Sequence, residues 1–300
     1  MASSNFCVRA RLSARVSLGT YPDIDLNGAT VAVTGAGRGI GRATAHAFLR
    51  RGAQVAIGDL DVAVAKATAD ELGAGATAFE LDVTAPESFA AFLQAAGEQL
   101  GPIDVLVNNA GVMPIARFLE EPTSISATTI NVNVWGPING MRLALPAMIE
   151  RGRGHVVNIA SLAGKQHLPG LAVYCASKHA VVGLTATVRA EIADTGVSVS
   201  AILPSMVKTE LASGIPVPGA AAIEPTDVAE AVIDSVRTRR DEIAVPRWVG
   251  SLSTTASLLP ENLQRLTRRL IRDDRGLVAN DTPQRADHLD RIDQQARNQR

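Results

Sequence analysis

Lysine is nearly missing from this chain of 300 residues. Only Lys66, Lys165, Lys178 and Lys208 occur, so arginine carries almost all the positive charge. Cysteine is scarcer still. Cys7 and Cys175 make no disulfide framework, which points to a reducing compartment and a cytoplasmic location, and Cys175 reads as an inert packed thiol. No apolar run approaches the roughly 18 residues that a spanning helix needs, so no transmembrane segment is expected. A formal net charge of -1 gives no overall pull toward nucleic acid or an anionic membrane. The five histidines are scattered, no ligand cluster or internal repeat occurs, and neither a metal nor a nucleic-acid partner is expected.

What remains is the composition of a soluble globular protein, 46% apolar and 20% charged, long enough for one large α/β domain or two small ones. Residues 1–24 stand apart, with Arg9, Arg11 and Arg15, several serines and no acid before Asp23. They lack the apolar centre of a secretory signal. A transit peptide fits this composition, and so does a flexible extension outside the fold, which is the reading carried forward.

From Ala29 the pattern changes. The short apolar run Thr30-Val31-Ala32-Val33-Thr34 reads as a buried strand, and Gly35-Ala36-Gly37-Arg38-Gly39-Ile40-Gly41 follows at once, then a helical stretch over 42–51. A glycine-rich turn between strand and helix lets backbone approach a pyrophosphate and aims the helix's free N–H groups at it. A second strand ends at Asp59, 18 residues beyond Gly41. A carboxylate there accepts the hydroxyls of an adenosine ribose and repels a 2′-phosphate, which argues for NAD over NADP. Arg38 argues more weakly the other way, because a guanidinium in the turn is able to meet a phosphate. Strand and helix then keep alternating, through Asp82 at the end of a third strand and Asn108-Asn109-Ala110-Gly111 at the end of a fourth. Such alternation specifies a parallel sheet with helices on both faces, and ligands bind beyond the carboxyl ends of its strands.

Downstream, a helix reading of 172–184 places Tyr174 and Lys178 one turn apart on one face. A phenol acting as a base near neutral pH needs its pKa lowered by roughly 3 units, about 4 kcal/mol, and a fixed cation supplies part of that.

Taken together, Thr34-Gly35-x-x-x-Gly39-x-Gly41, Asp82, Asn108-Asn109-Ala110-Gly111, Asn133, Ser161 and Tyr174-x-x-x-Lys178 resemble the short-chain dehydrogenase/reductase family in its main single-domain branch. The resemblance implies a Rossmann-type, doubly wound, mainly parallel seven-stranded sheet over 25–248. It implies a nicotinamide cofactor, NAD rather than NADP, held by Gly35, Arg38, Gly39, Ile40, Gly41, Asp59, Asp82, Val83, Asn109, Ala110, Gly111, Tyr174, Lys178, Pro204, Val207 and Thr209. It also implies a catalytic set of Asn133, Ser161, Tyr174 and Lys178. Tyr174 would exchange the proton of a secondary alcohol or ketone, Lys178 would lower the phenol's pKa, and Ser161, 13 residues upstream of Tyr174, would hold the substrate oxygen. The backbone carbonyl of Asn133 would hold a relay water. Ser205 departs from the family's usual Pro-Gly after the sixth strand. The rival class, a protein that senses NAD without turnover, would be expected to lose one of these groups.

The expected pocket segments, 112–115, 162–171 and 211–223, are mostly apolar, so the expected substrate is an apolar alcohol or ketone of steroid, retinoid, terpenoid or long-chain type. Lys165 and His167 read as exposed loop residues. Family habit implies a homodimer or homotetramer through helices over 124–149 and 173–194. Residues 249–300 read as a C-terminal helical extension. Leu252, Ala256, Leu259, Leu263, Leu266 and Leu270 form an apolar stripe broken by Pro260, opposite Arg265, Arg268, Arg269 and Arg272. Packing on the protein's own surface is preferred there over a subunit contact or a membrane-surface helix.

Overall fold

The computed structural model describes residues 21–212 and 222–248. The C-terminal extension, most of the N-terminal one and part of the 211–223 segment lie outside the described residues. Six strands, β1 (Thr30–Thr34), β2 (Gln54–Asp59), β3 (Ala76–Glu80), β4 (Ile103–Asn108), β5 (Gly154–Ile159) and β6 (Val197–Pro204), precede two short ones, β7 (Met206–Val207) and β8 (Ala222–Ile223). β7 and β8 pair only with each other, and β9 (Glu242–Val245) completes a seven-stranded sheet in the order β3-β2-β1-β4-β5-β6-β9. Every pairing is parallel, as the alternation predicts.

The connecting helices are α1 (Gly39–Leu49), α2 (Val62–Leu72), α3 (Pro86–Leu100), α4 (Thr123–Ile130), α5 (Gly136–Glu150), α6 (Ala172–Glu191) and α7 (Pro225–Thr238). They cover both faces because the strands are apolar on both. Val31, Val33, Val55 and Ile57 pack with Phe48 of α1 and with Val228 and Val232 of α7. Between them, Ala32 and Ala56 face Phe89 and Phe92 of α3 and Met141 and Met148 of α5. Each large side chain buried this way contributes about 1.5–3 kcal/mol. The strand order reverses between β1 and β4, so a crevice opens past their carboxyl ends.

The single helix expected over 124–149 is interrupted. Asn131–Trp135 form a π-turn between α4 and α5, with the Gly136 N–H reaching the Asn131 carbonyl. Pro137 has no N–H to give the Asn133 carbonyl, so regular α-helical pairing cannot run through this point. Asn133 therefore sits at the widened turn. No described helix is long and apolar enough to cross a membrane.

At the opposite, amino-terminal edge of the sheet, His155 is fully buried. Its Nδ1 lies 2.8 Å from Ser198 Oγ and its Nε2 lies 3.1 Å from Ser235 Oγ. Arg239, in the left-handed region at φ 54°, donates to Ser198 Oγ and to the Pro22 carbonyl, and Arg189 stacks over the Tyr21 ring. Tyr21 and Pro22, just before the expected boundary at residue 24, thus contact this edge. Burial, and next the Arg239 and Arg189 charges, hold His155 well below 6.5, against a smaller opposing pull from its bond with Ser198. As pH falls below 6.5, the unfolded imidazole binds a proton that the folded one refuses, so stability drops, by up to about 1.4 kcal/mol per pH unit. Melting temperatures of wild type and His155→Gln across this window should show a flatter curve in the variant. Equal slopes would remove His155 as the cause.

Candidate active site

The glycine turn forms a cradle that side chains would fill. Gly35 has φ 61°, and a Cβ there would lie 2.8 Å from Ala110 Cα. A Cβ on Gly41 would meet the Gly35 carbonyl oxygen at 2.3 Å and Asn109 Nδ2 at 2.6 Å. The turn is pinned from beside. Thr34 Oγ1 accepts the N–H groups of Asn109 and Ala110, and the Asn109 amide donates to the carbonyls of Thr34 (2.9 Å) and Gly35 (3.0 Å). Asn109 and Ala110 thus hold the turn's shape from the end of β4. α1 starts at Gly39, with Ile40 packed on the core, so its free N–H groups open onto the cradle. These features fit a dinucleotide pyrophosphate.

Asp59 stands at the tip of β2, where Oδ2 accepts the Gly37 N–H (2.9 Å) and Oδ1 accepts the Asp61 N–H (3.1 Å). Arg38 pairs with Asp61 at 3.3 Å. Asp82 accepts from the Thr84 N–H and hydroxyl, and the carbonyl of Val83 is fixed by Asn139 Nδ2 at 3.0 Å. Asn139 escapes sequence reading because its partner is 56 residues away.

The buried Asn133 side chain clamps the strand-end loop. Its Oδ1 accepts from Val112 N–H, and its Nδ2 donates to the Val112 carbonyl (2.9 Å) and to Ser177 Oγ (3.0 Å). Ser177 in turn donates to the Tyr174 carbonyl at 2.7 Å. Ser177 was absent from the expected set, although it sits inside the Tyr174-x-x-x-Lys178 motif itself. A Cβ on Gly111 would come within 3.3 Å of Asn133 Oδ1 and 3.7 Å of Lys178 Nζ, so a bare backbone is what lets these groups converge.

Tyr174 occupies the first turn of α6, beside the helix's positive end. Lys178 Nζ lies 5.7 Å from the phenol ring centroid and donates to the Ile159 carbonyl at 2.9 Å. Ser161, at the end of β5, accepts the Ala163 N–H and lies 3.5 Å from the Pro204 carbonyl. The end of β6 is held by the Ser205 N–H on the Val245 carbonyl, and β7 follows with Val207 buried. Thr209 then lies against Gly39, its Cγ2 3.4 Å from where a Cβ there would sit. The loop after β6 therefore closes over the glycine turn.

Burial pushes the Tyr174 phenol up to about 12, with its hydrogen bond to Ser161 pulling the other way, and burial lowers Lys178 to about 8. Desolvation is the larger influence on the phenol, and Lys178 is held beside it by its bond to the Ile159 carbonyl.

Around Tyr174 lies an apolar cluster of Met113, Ile115, Ala163, Leu171 and Cys175, with Leu168 and Leu211 packed on it. Lys165 pairs with Glu242 at 2.9 Å, and the exposed His167 stacks on His179 with centroids 5.7 Å apart. Among the described residues no group of three or more potential ligands gathers to hold a metal ion.

Residues 29–216 match the family model described as short chain dehydrogenase. The chain is similar to a probable oxidoreductase, EphD, of Mycobacterium tuberculosis (strain ATCC 25618 / H37Rv), 34% identical over 262 residues, covering 79% of this chain and 44% of that one. It thus spans under half of that relative's length. Sorbitol dehydrogenase of Cereibacter sphaeroides is 39% identical over 191 residues, 63% of this chain and 75% of that one. Among solved structures, a short chain dehydrogenase/reductase from Burkholderia phymatum in complex with NAD superposes with a TM-score of 0.71 at 29% identity, covering 77% of this chain and 93% of that one. With its cradle, its parallel sheet and these relatives, the chain belongs to the short-chain dehydrogenase/reductase family of oxidoreductases.

Proposed function

We propose that this protein is an NAD-dependent oxidoreductase that interconverts an apolar secondary alcohol and its ketone. The observation that carries the reading is Tyr174 with Ser161 and Lys178 between a dinucleotide cradle and a buried apolar cluster. Asp59 supports NAD: its carboxylate, fixed by two backbone N–H groups at the tip of β2, would accept a ribose 2′-hydroxyl and repel a 2′-phosphate. When bound, the nicotinamide supplies or accepts the hydride. The chain's own groups do the rest. Ser161 and Tyr174 orient the substrate oxygen, and the protonated phenol donates to it during reduction. In oxidation the same phenol must lose its proton, and the Lys178 cation and the α6 dipole lower the cost of its anion. The catalytic set is complete, which leaves the sensor alternative without support.

The apolar cluster around Tyr174 supports the substrate class. Met113, Ile115, Leu168, Leu171 and Leu211 offer no partners for a row of hydroxyls, and burying such groups unpaired is costly. In this respect the lining departs from what a polyol such as that named for the Cereibacter relative would need. A homodimer or homotetramer through the α4–α5 and α6 faces is supported by Trp135 and Leu143, both exposed along that rod. The test is nicotinamide absorbance with a panel of steroid-like, terpenoid and long-chain alcohols, run beside polyols and with NAD and NADP separately. Turnover of apolar alcohols with NAD is expected. Turnover of polyols alone would overturn the substrate class, and turnover with NADP alone would overturn the reading of Asp59.

A further inference from the structure

The chain carries two opposed instructions for the adenosine ribose, a carboxylate at Asp59 and a guanidinium at Arg38, and it links them through a third residue. Asp61 takes its N–H to Asp59 Oδ1 at 3.1 Å. Its own Oδ1 accepts the Val64 N–H at 3.2 Å, capping α2, and its Oδ2 accepts from Arg38 Nη2 at 3.3 Å. Gly37 closes the circuit: its N–H goes to Asp59 Oδ2 and its carbonyl accepts from Thr68 Oγ1 at 2.8 Å. Both Asp61 oxygens are therefore committed within the protein, and the cation in the glycine turn points at a carboxylate of the β2–α2 connection.

We propose that Asp61 is a specificity-determining residue, which excludes NADP by keeping Arg38 in an ion pair and so withdrawing a cation that would otherwise meet a 2′-phosphate. The inference rests on the NAD reading above and deepens it. Asp59 disfavours the phosphate directly; Asp61 removes the group that would otherwise compensate. The Arg38–Asp61 pair is partly exposed, at 38% and 48% of side-chain surface, so a strong ligand anion competes for the guanidinium once Asp61 loses its charge.

The test is calorimetric titration of NAD and NADP into wild type, Asp61→Asn, Arg38→Ala and the double variant. Asparagine keeps an oxygen for the Val64 N–H, so the cap on α2 survives and unaltered melting confirms it. NADP is expected to bind Asp61→Asn about tenfold more tightly than wild type, the order of one charge contact in a partly solvated site, with NAD affinity little changed. Arg38→Ala in the same chain should abolish the gain. An unchanged NADP affinity in Asp61→Asn overturns the proposal, and so does a gain that survives in the double variant, which would reflect relief of repulsion rather than release of Arg38. Wild type that prefers NADP would instead sink the NAD reading itself, a distinct result seen before any variant is made.

Discussion

Tyr174→Phe is expected to lower kcat by about 10²–10⁴-fold, the range for loss of a positioned acid–base group, with the fold unchanged. The reason for confining the loss to chemistry lies in how the ring is packed. Tyr174 packs in the apolar cluster with Met113, Ile115 and Leu171, and its ring, which phenylalanine keeps, makes those contacts. Tyr174 is buried, so removing its hydroxyl leaves little beyond the bond with Ser161 unmet. Melting temperature and NAD binding should therefore stay close to wild type while turnover falls. A variant that keeps a tenth or more of wild-type turnover would show that the proton comes from elsewhere.

Gly41→Ala should abolish NAD binding and lower stability by about 1–3 kcal/mol, the usual cost of forcing a methyl into packed surroundings. The new Cβ would lie 2.3 Å from the Gly35 carbonyl oxygen and 2.8 Å from Ala36 Cα, both backbone atoms that no rotamer change can move. Either α1 withdraws from the turn or the turn opens, and each disperses the N–H groups meant for the pyrophosphate. The control is Gly97→Ala in α3, where an added Cβ meets nothing within 4 Å. There the helix gains about 0.5–1 kcal/mol from alanine's better propensity. Calorimetric NAD binding and thermal melts on both variants settle the point. Wild-type affinity in Gly41→Ala would mean that the cradle holds no pyrophosphate.

The sheet and its cradle were legible because their signals are local. β1 and the glycines that follow lie within twelve residues, Thr30 to Gly41, and a strand, a turn and a helix start impose spacing that survives without any alignment. Tyr174 and Lys178 were legible for the same reason, since four residues make one helical turn. The helix over 124–149 was read as unbroken because apolar periodicity does not register a missing donor. Pro137 was in plain view, and its effect on the Asn133 carbonyl required the helix to exist first. Asn133 was expected through its backbone. Its side chain clamps Val112 and reaches Ser177, partners 21 and 44 residues away.

The sequence by itself determined the order of strands and helices, the glycine cradle, and the presence of Ser161, Tyr174 and Lys178, since each is written in short-range spacing that the backbone must obey. The tertiary structure decided what surrounds the site's ionisable groups. Tyr174 and Lys178 are both shifted by burial, and Arg38 is engaged by an aspartate 23 residues further on. Desolvation and ion pairing depend on which distant atoms come to surround a group, and only the folded chain brings those atoms together.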